Sequence, residues 1–372
     1  MRRFSGIFIG LLCTASPALA QTENSVLRDA MAVLPEQIFL PPYNGVAHFV
    51  DLAVQAPRGN DQAPGLAWLQ NAPASDLRPV ATLGMAVRMT SLEDWGQKAG
   101  TDLTKLRYFA GFGEPPATVA IWGFTDEAAA DATFAGLAER GFTELDGMPG
   151  VVANGEPQKV DLANGDPASP WSGLLGETSV VMQQGAHFLH ASGPDAFAPV
   201  LEGQPAMIDS APGKSLVAAM EAQGKPIAQA SFFGPIAGLY GVDPALALGT
   251  ASPAEAKAAM GAAIANPPAG VPVYFGGVMV DLVEDGKSIA LIALAYPDCA
   301  TAEKAAASAA ALWPKDAIYQ NDATVTASHV DAGGPGCAAV VTVESPESLK
   351  SNYQLAVCGI MRRDLPSIRL AP

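Results

Sequence analysis

Residues 288–313 read SIALIALAYPDCATAEKAAASAAALW, an apolar run that leads directly into an alanine-rich run. The apolar run is typical of a buried strand, and Pro297 and Asp298 supply the signals that begin a helix. The same pattern occurs earlier in the chain, where ATVAIWGF at 117–124 precedes DEAAADATFAGLAERG at 126–141. Both units therefore predict a strand that passes straight into a helix.

The two halves of the chain follow the same order of predicted elements. Each has an N-terminal helix, a strand, a mainly helical insertion, the strand–helix unit, a hairpin and a closing helix. We therefore expect an α+β fold with two topologically similar halves, each a mostly antiparallel sheet with helices packed on one face. This likeness suggests an internal duplication, although the halves share little residue identity.

Glycine and proline residues are frequent in the segment Gly203–Gly213, which is typical of a linker, so we place a domain boundary there. The N-terminal α+β domain is expected over 21–205 and contains the helical insertion at 53–116. The C-terminal α+β domain is expected over 212–372. The chain is long enough for two such domains, each with a sizeable core.

The first 20 residues have the pattern of a secretory signal peptide. Arg2 and Arg3 form a basic start, Phe4–Leu12 is apolar, and the segment ends in Ala-Leu-Ala. An apolar stretch this short does not span a bilayer, which needs about 20 residues. We expect residues 1–20 to be cleaved after Ala20, which predicts a soluble protein that is periplasmic or secreted. Abundant alanine, glycine and proline with little lysine are typical of a GC-rich bacterial genome.

The chain is acidic, with 21 lysine and arginine residues against 37 aspartate and glutamate residues and a formal net charge of −16. A surface of this charge repels nucleic acid and anionic lipid. We therefore expect no nucleic-acid partner. Because no later segment reaches spanning length, we also expect no membrane span.

The sequence lacks the motifs of the common catalytic and metal sites. HExxH, CxxC and GxSxG are absent, and so is the phosphate-binding P-loop pattern. His187 and His190 are three residues apart in a strand-like segment, so their side chains are expected on opposite faces, which disfavours a shared metal. We therefore predict no catalytic residue, no cofactor and no metal ligand.

Three cysteines lie beyond the expected cleavage point: Cys299, Cys337 and Cys358. A thiol at a helix start, such as Cys299, can be acidified, but Asp298 opposes thiolate formation and no histidine is close in sequence. Because exported proteins meet an oxidising compartment, we expect a disulfide instead. The closing helix is predicted to run antiparallel to the strand that begins at Cys337. This favours Cys337–Cys358, with Cys299 as the alternative partner.

The aromatic residues are concentrated in one part of the first half. Six lie between positions 68 and 122: Trp68, Trp95, Tyr108, Phe109, Phe112 and Trp122. One interpretation is an apolar surface that binds a ligand or a partner. The other is that these side chains cap the core of the first domain, since several leucines nearby supply matching apolar material.

The sequence favours an exported, soluble, non-enzymatic protein that acts as a binding or envelope-associated interaction module. Its partner would be an unknown protein or an apolar small molecule. The alternative from a different class is a hydrolase with a dispersed active site between the two halves, because catalytic triads need not be close in sequence. A purely structural role in an envelope complex is a third hypothesis.

Overall fold

In the computed structural model, the strands of the described residues form one antiparallel sheet. The structure describes residues 25–55, 92–114, 117–166, 169–173, 175–239, 252, 254–255, 257–258, 270–313, 323–346 and 351–371. In chain order the strands are β1 (Val46–Asp51), β2 (Leu106–Glu114), β3 (Ala117–Phe124), β4 (Thr143–Leu145), β5 (Met148–Ala153), β6 (Val180–Gln184), β7 (His187–Ala191), β8 (Ile227–Phe233), β9 (Gly276–Glu284), β10 (Lys287–Tyr296), β11 (Thr324–Gly334) and β12 (Gly336–Pro346).

The spatial order of the strands is β11-β12-β10-β9-β8-β1-β2-β3-β7-β6-β5-β4. Neighbouring strands are antiparallel. The first half of the chain supplies β1 to β7 and the second half supplies β8 to β12. The expectation of a separate sheet in each half is wrong, because β1 pairs with β8 and thereby covers a backbone edge that each half would otherwise expose.

Eight α-helices accompany the sheet in the described residues. They are α1 (Ser25–Val33), α2 (Leu52–Gln55), α3 (Leu92–Ala99), α4 (Glu127–Gly136), α5 (Ala198–Leu201), α6 (Ala211–Glu221), α7 (Cys299–Ala311) and α8 (Asn352–Arg362). Within the part of the chain that the structure describes, no helix has both the length and the apolar character needed to cross a membrane. The α+β composition predicted from the sequence is therefore confirmed.

The helices cover both faces of the sheet. Buried residues of α1 and α6 belong to one apolar core, whereas those of α3, α4, α7 and α8 belong to the core on the other face. The expectation that helices pack on one face is therefore wrong. The central strands are buried on both sides, which explains why β10 is continuously apolar from Ile289 to Tyr296 rather than alternating.

The two strand–helix units form as predicted. Asp298 accepts a hydrogen bond from the backbone nitrogen of Thr301 at 2.8 Å and so caps α7. Asp126 caps α4 in the same way, through the backbone nitrogen of Ala129 at 2.8 Å. Of the helical insertion predicted at 53–116, residues 56–91 lie outside the described residues. Its last part is not helical, because β2 is a strand that pairs with β1 and β3.

The disulfide joins Cys299 to Cys337, whose Cα atoms are 5.0 Å apart. The strand register explains the pairing: Cys337 lies opposite Tyr296, and Cys299 begins α7 three residues later. The favoured pair Cys337–Cys358 is wrong, because Cys358 is an exposed free cysteine of α8 while the neighbouring Val357 and Gly359 are buried. The alternative partner, Cys299, is therefore the correct one.

We expect loss of this disulfide to lower the free energy of unfolding by about 2–4 kcal/mol, since it closes a loop of 38 residues in the unfolded chain. Denaturant unfolding of C299S/C337S without reductant measures this loss. C358S is the matched control and should change stability by less than about 0.5 kcal/mol. Peptide mapping that recovered Cys358 in the disulfide would contradict the pairing.

Candidate functional site

A cavity of about 700 Å³ lies beside the junction of the two halves. Residues 43–46 and His48 line it from the first half. From the second half it is lined by the end of β8, by the C-terminal end of α8, and by Gly234, Ile236, Ala237, Leu239, Arg363, Leu365, Ile368 and Arg369. Its volume falls in the range of sites that hold small organic molecules, roughly 300–1,000 Å³.

His48 reaches the cavity because side chains alternate along β1. Ala47 and Phe49 belong to the core beneath α1 and α6, whereas Val46 and Val50 pack into the core on the opposite face. His48 shares that second face and is only 1 % exposed. The candidate site is therefore built around a histidine of β1, a strand in the middle of the sheet.

Two hydrogen bonds in series fix the position of the His48 ring through its Nδ1 atom. The register of β1 and β8 places His48 directly opposite Ser231. Nδ1 of His48 lies 2.9 Å from Oγ of Ser231, and that oxygen lies 2.7 Å from the hydroxyl of Tyr353 on α8. All three side chains are buried, with 1 % exposure or less. Two strands from different halves and one helix thus position the imidazole.

The direction of these hydrogen bonds follows from counting protons. Among the described residues, Ser231 is the hydrogen-bond partner of the Tyr353 hydroxyl. A buried phenol proton without an acceptor costs free energy, and Ser231 offers the acceptor here, so we assign Tyr353 as the donor to Ser231. The Ser231 proton then has Nδ1 of His48 as its acceptor among the described residues, and a buried hydroxyl left without an acceptor costs free energy, so we assign Ser231 as the donor to Nδ1. This assigns the remaining ring proton of His48 to Nε2.

The Nε2–H group of His48 is buried and has no hydrogen-bond partner among the described residues. A buried donor without a partner costs about 1–3 kcal/mol, so such groups are rare unless water or a ligand satisfies them. Burial lowers the pKa of His48 to about 3, so the ring is neutral near pH 7. His48 is thus a neutral hydrogen-bond donor in the wall of the cavity.

The start of α8 is fixed by polar contacts with the sheet. The backbone nitrogen of Asn352 donates to Oγ of Ser288 at 2.8 Å, and its side chain donates to Oγ of Ser345 at 3.0 Å. Ser351 caps the helix by accepting from the backbone nitrogen of Gln354 at 3.0 Å. These contacts determine where Tyr353 meets Ser231.

Three charged side chains among the described residues line the cavity. Arg363 and Arg369 both line it, against one carboxylate, that of Glu114. Arg369 is only 8 % exposed, whereas Arg363 and Glu114 are exposed. Arg363 has φ 58°, the left-handed conformation that ends α8. The rest of the wall is largely apolar.

A second cavity, of about 710 Å³, shares Tyr43, Gly113 and Glu114 with the first. The hydroxyl of Tyr43 accepts a hydrogen bond from the backbone nitrogen of Gly113 at 2.8 Å. The charged residues that line this second cavity are acidic: Glu36, Glu114 and Asp195. No buried side-chain donor or acceptor that lacks a partner lines it in the described residues, so the first cavity is the stronger candidate site.

His190, which is half-buried, is held differently. Oγ of Ser179 donates to the carbonyl of Trp171 at 2.6 Å and accepts from Nε2 of His190 at 2.6 Å. Burial lowers the pKa of His190 to about 4. Its ring contacts the rings of Trp122 and Trp171, and it does not line the first cavity. His190 therefore packs against the aromatic rings of the first half and does not belong to the candidate site.

The predicted aromatic surface is divided between the two cores. Trp95, Phe109 and Trp122 are buried on the face of α8, whereas Tyr108 and Phe112 are buried on the opposite face. These five are at most 2 % exposed, and Trp68 lies outside the described residues. The interpretation as one partner surface is therefore wrong for the described five, which belong to the core, as the alternative expected.

Sequence reasoning missed His48, Ser231, Tyr353 and Arg369 as site residues. The one signal available was a polar ring within the apolar strand that starts at Val46. In the described residues, no group of three or more histidine, cysteine, aspartate or glutamate side chains could hold a metal ion. No protein-family model, no curated protein and no solved structure gives a significant match to the chain.

We expect Y353F to lower the free energy of unfolding by about 1–2 kcal/mol, since it removes the donor that begins the hydrogen-bond chain. Y296F is the matched control: the Tyr296 hydroxyl is buried without a partner among the described residues, so its removal should cost less than about 0.5 kcal/mol. Urea denaturation measures both values. ¹⁵N NMR should place the His48 proton on Nε2, and a proton on Nδ1 would contradict the assigned direction.

Proposed function

We propose that the protein is an exported, non-enzymatic binding protein that holds a small organic molecule in the first cavity. The observation that carries this proposal is the buried Nε2–H of His48, a donor in the cavity wall without a partner among the described residues. The ligand would present an acceptor atom to His48 and fill the remaining space with an apolar body. Val46, Phe233 and Ile368 supply apolar wall for that body.

One observation supports the alternative function of a hydrolase, and two observations oppose it. In favour, Ser231 and His48 come from different halves and are hydrogen-bonded. Against it, Ser231 is fully buried and does not line the cavity, so a substrate carbonyl has no approach to its oxygen. Moreover, Nδ1 of His48 faces the serine, and its Nε2 meets no orienting carboxylate among the described residues. Binding is therefore the better-supported function.

Export is part of the proposal. The basic and apolar pattern of residues 1–20 supports it, and the Cys299–Cys337 disulfide is the kind of bond that persists in oxidising compartments. We expect the protein secreted by a bacterial host to begin at Gln21, which N-terminal sequencing checks. Retention of residues 1–20 in the exported protein would contradict cleavage after Ala20. An envelope-associated protein partner fits the same location.

We also propose that the two halves arose by duplication, as two similar domains that meet at the β1–β8 pair. The strand order supports this: β1-β2-β3-β7-β6 runs outward on one side and β8-β9-β10-β12-β11 on the other. In each half the third strand leads into a helix, α4 or α7, and the last strand inserts beside the third. A cavity at this junction would then be a site that neither half forms alone.

The methyl ester of dansylglycine is a suitable probe, since it is neutral, carries acceptor oxygens and changes fluorescence when it leaves water. We expect it to bind with a blue shift. A237W fills the cavity wall and should weaken binding at least about tenfold. A135W adds the same ring to an exposed position of α4 and should bind as the wild type does. Thermal unfolding of both variants confirms that they fold.

Two results would contradict the proposal. If the wild type does not bind the ester, or if A237W binds it equally well, the cavity is not the site. If the wild type converts the ester to dansylglycine and S231A does not, the hydrolase alternative is correct instead.

A further inference from the structure

The first cavity has apolar side chains both in its buried part and at its mouth. His48, Phe233 and Ile368 line the buried part, each with at most 2 % exposure. Leu239 and Met361 also line the cavity, but they are 52 % and 49 % exposed, so we place them at its mouth. Apolar wall is therefore available to a ligand from the level of His48 to the solvent.

The two exposed apolar side chains come from different elements of the second half. Leu239 follows the 3-10 turn Pro235–Gly238, and Met361 lies in the last turn of α8, after the buried Gly359 and Ile360. Single exposed apolar residues are common on protein surfaces and need no explanation. Here two of them share the lining of one cavity with a buried apolar wall, which is the pattern of a binding site.

The buried donor decides which end of a ligand enters first. Nε2 of His48 is buried without a partner among the described residues, so an acceptor atom has to reach the buried part of the cavity to meet it. A ligand with its acceptor at the mouth would leave this N–H unsatisfied. The ligand therefore enters with its acceptor end first and points its apolar end outward.

We propose that the ligand is an acyl compound with a single hydrocarbon chain, whose carbonyl oxygen accepts the hydrogen bond from His48 and whose chain extends outward over Leu239 and Met361. This inference rests on the proposed function. A carbonyl oxygen is an acceptor with two lone pairs. The chain removes its own apolar surface and that of the two exposed side chains from water, so its length determines the affinity.

Methyl esters of straight-chain acids, from butanoate to decanoate, test the chain by displacing the methyl ester of dansylglycine from the protein. They share one carbonyl group and differ only in the length of the chain, and each is used below its solubility limit. We expect the affinity to rise about two- to fourfold with each added methylene group. The measurement is the ester concentration at half displacement, which should fall along the series.

Two variants test where the chain lies. L239S and M361S should each weaken binding of the decanoate ester at least about threefold and leave the butanoate ester within about twofold of wild type, because the short chain contacts mainly the buried part. L201S is the matched control, since Leu201 is 50 % exposed and lines neither of the two cavities. Thermal unfolding of the three variants confirms that they fold.

Each other outcome overturns a defined part of the proposal. If the esters displace the probe with an affinity that does not depend on chain length, or do not displace it, the acyl-chain class is wrong while the binding function stands. If L201S weakens the decanoate ester as much as L239S does, the chain does not lie at the mouth, and the inference is wrong. If phosphatidylcholine vesicles displace the probe and the esters do not, the occupant is a membrane lipid instead. If the wild type does not bind the probe, the proposed function itself is wrong, and the inference falls with it.

Discussion

The antiparallel pairing of β1 with β8 is the contact on which the rest of the structure depends. It joins strands from the two halves, so twelve strands share one sheet and two cores instead of leaving two inner edges open. Its register also sets the site, because it places His48 opposite Ser231. A shift of the pairing by one residue would turn His48 toward the opposite core and break the hydrogen bond to Ser231.

Burial on both faces explains why polar side chains in this sheet occur as bonded groups. Gln229 donates to Asp281 at 3.0 Å in the row next to His48 and Ser231, and both residues are at most 2 % exposed. Buried polar groups of this kind are tolerated when their hydrogen bonds are made. Gln229 and His48 each have one polar atom bonded inside the protein and another, Oε1 of Gln229 or Nε2 of His48, that is buried without a partner among the described residues. Of the two, His48 is the residue that lines the first cavity.

Local signals in the sequence predicted local structure well. The bounds of β3 and β8 match their apolar runs, and the caps of α4 and α7 were readable from single aspartates. Asp102 is also an N-cap, but it caps a short 3-10 turn before β2, so a capping residue alone does not predict the length of a helix. The candidate site depends on a contact between His48 and Ser231, which are 183 residues apart in the sequence. Sequence patterns do not predict which strands pair at such a separation. The register of β10 and β12 likewise places Cys337 opposite Tyr296 and so close to Cys299, its disulfide partner.

The chemistry of His48 argues for a role beyond folding. Burial disfavours its charged form, and its buried Nε2–H costs the fold about 1–3 kcal/mol when no acceptor meets it. The hydrogen bond to Ser231 uses Nδ1 alone, so the described residues give no use for a donor at Nε2. A ligand acceptor removes the cost upon binding, and binding then stabilises the folded state by mass action. Nε2 of His48 therefore destabilises the protein without a ligand, and the same atom would contribute to the affinity for a ligand that brings an acceptor to it.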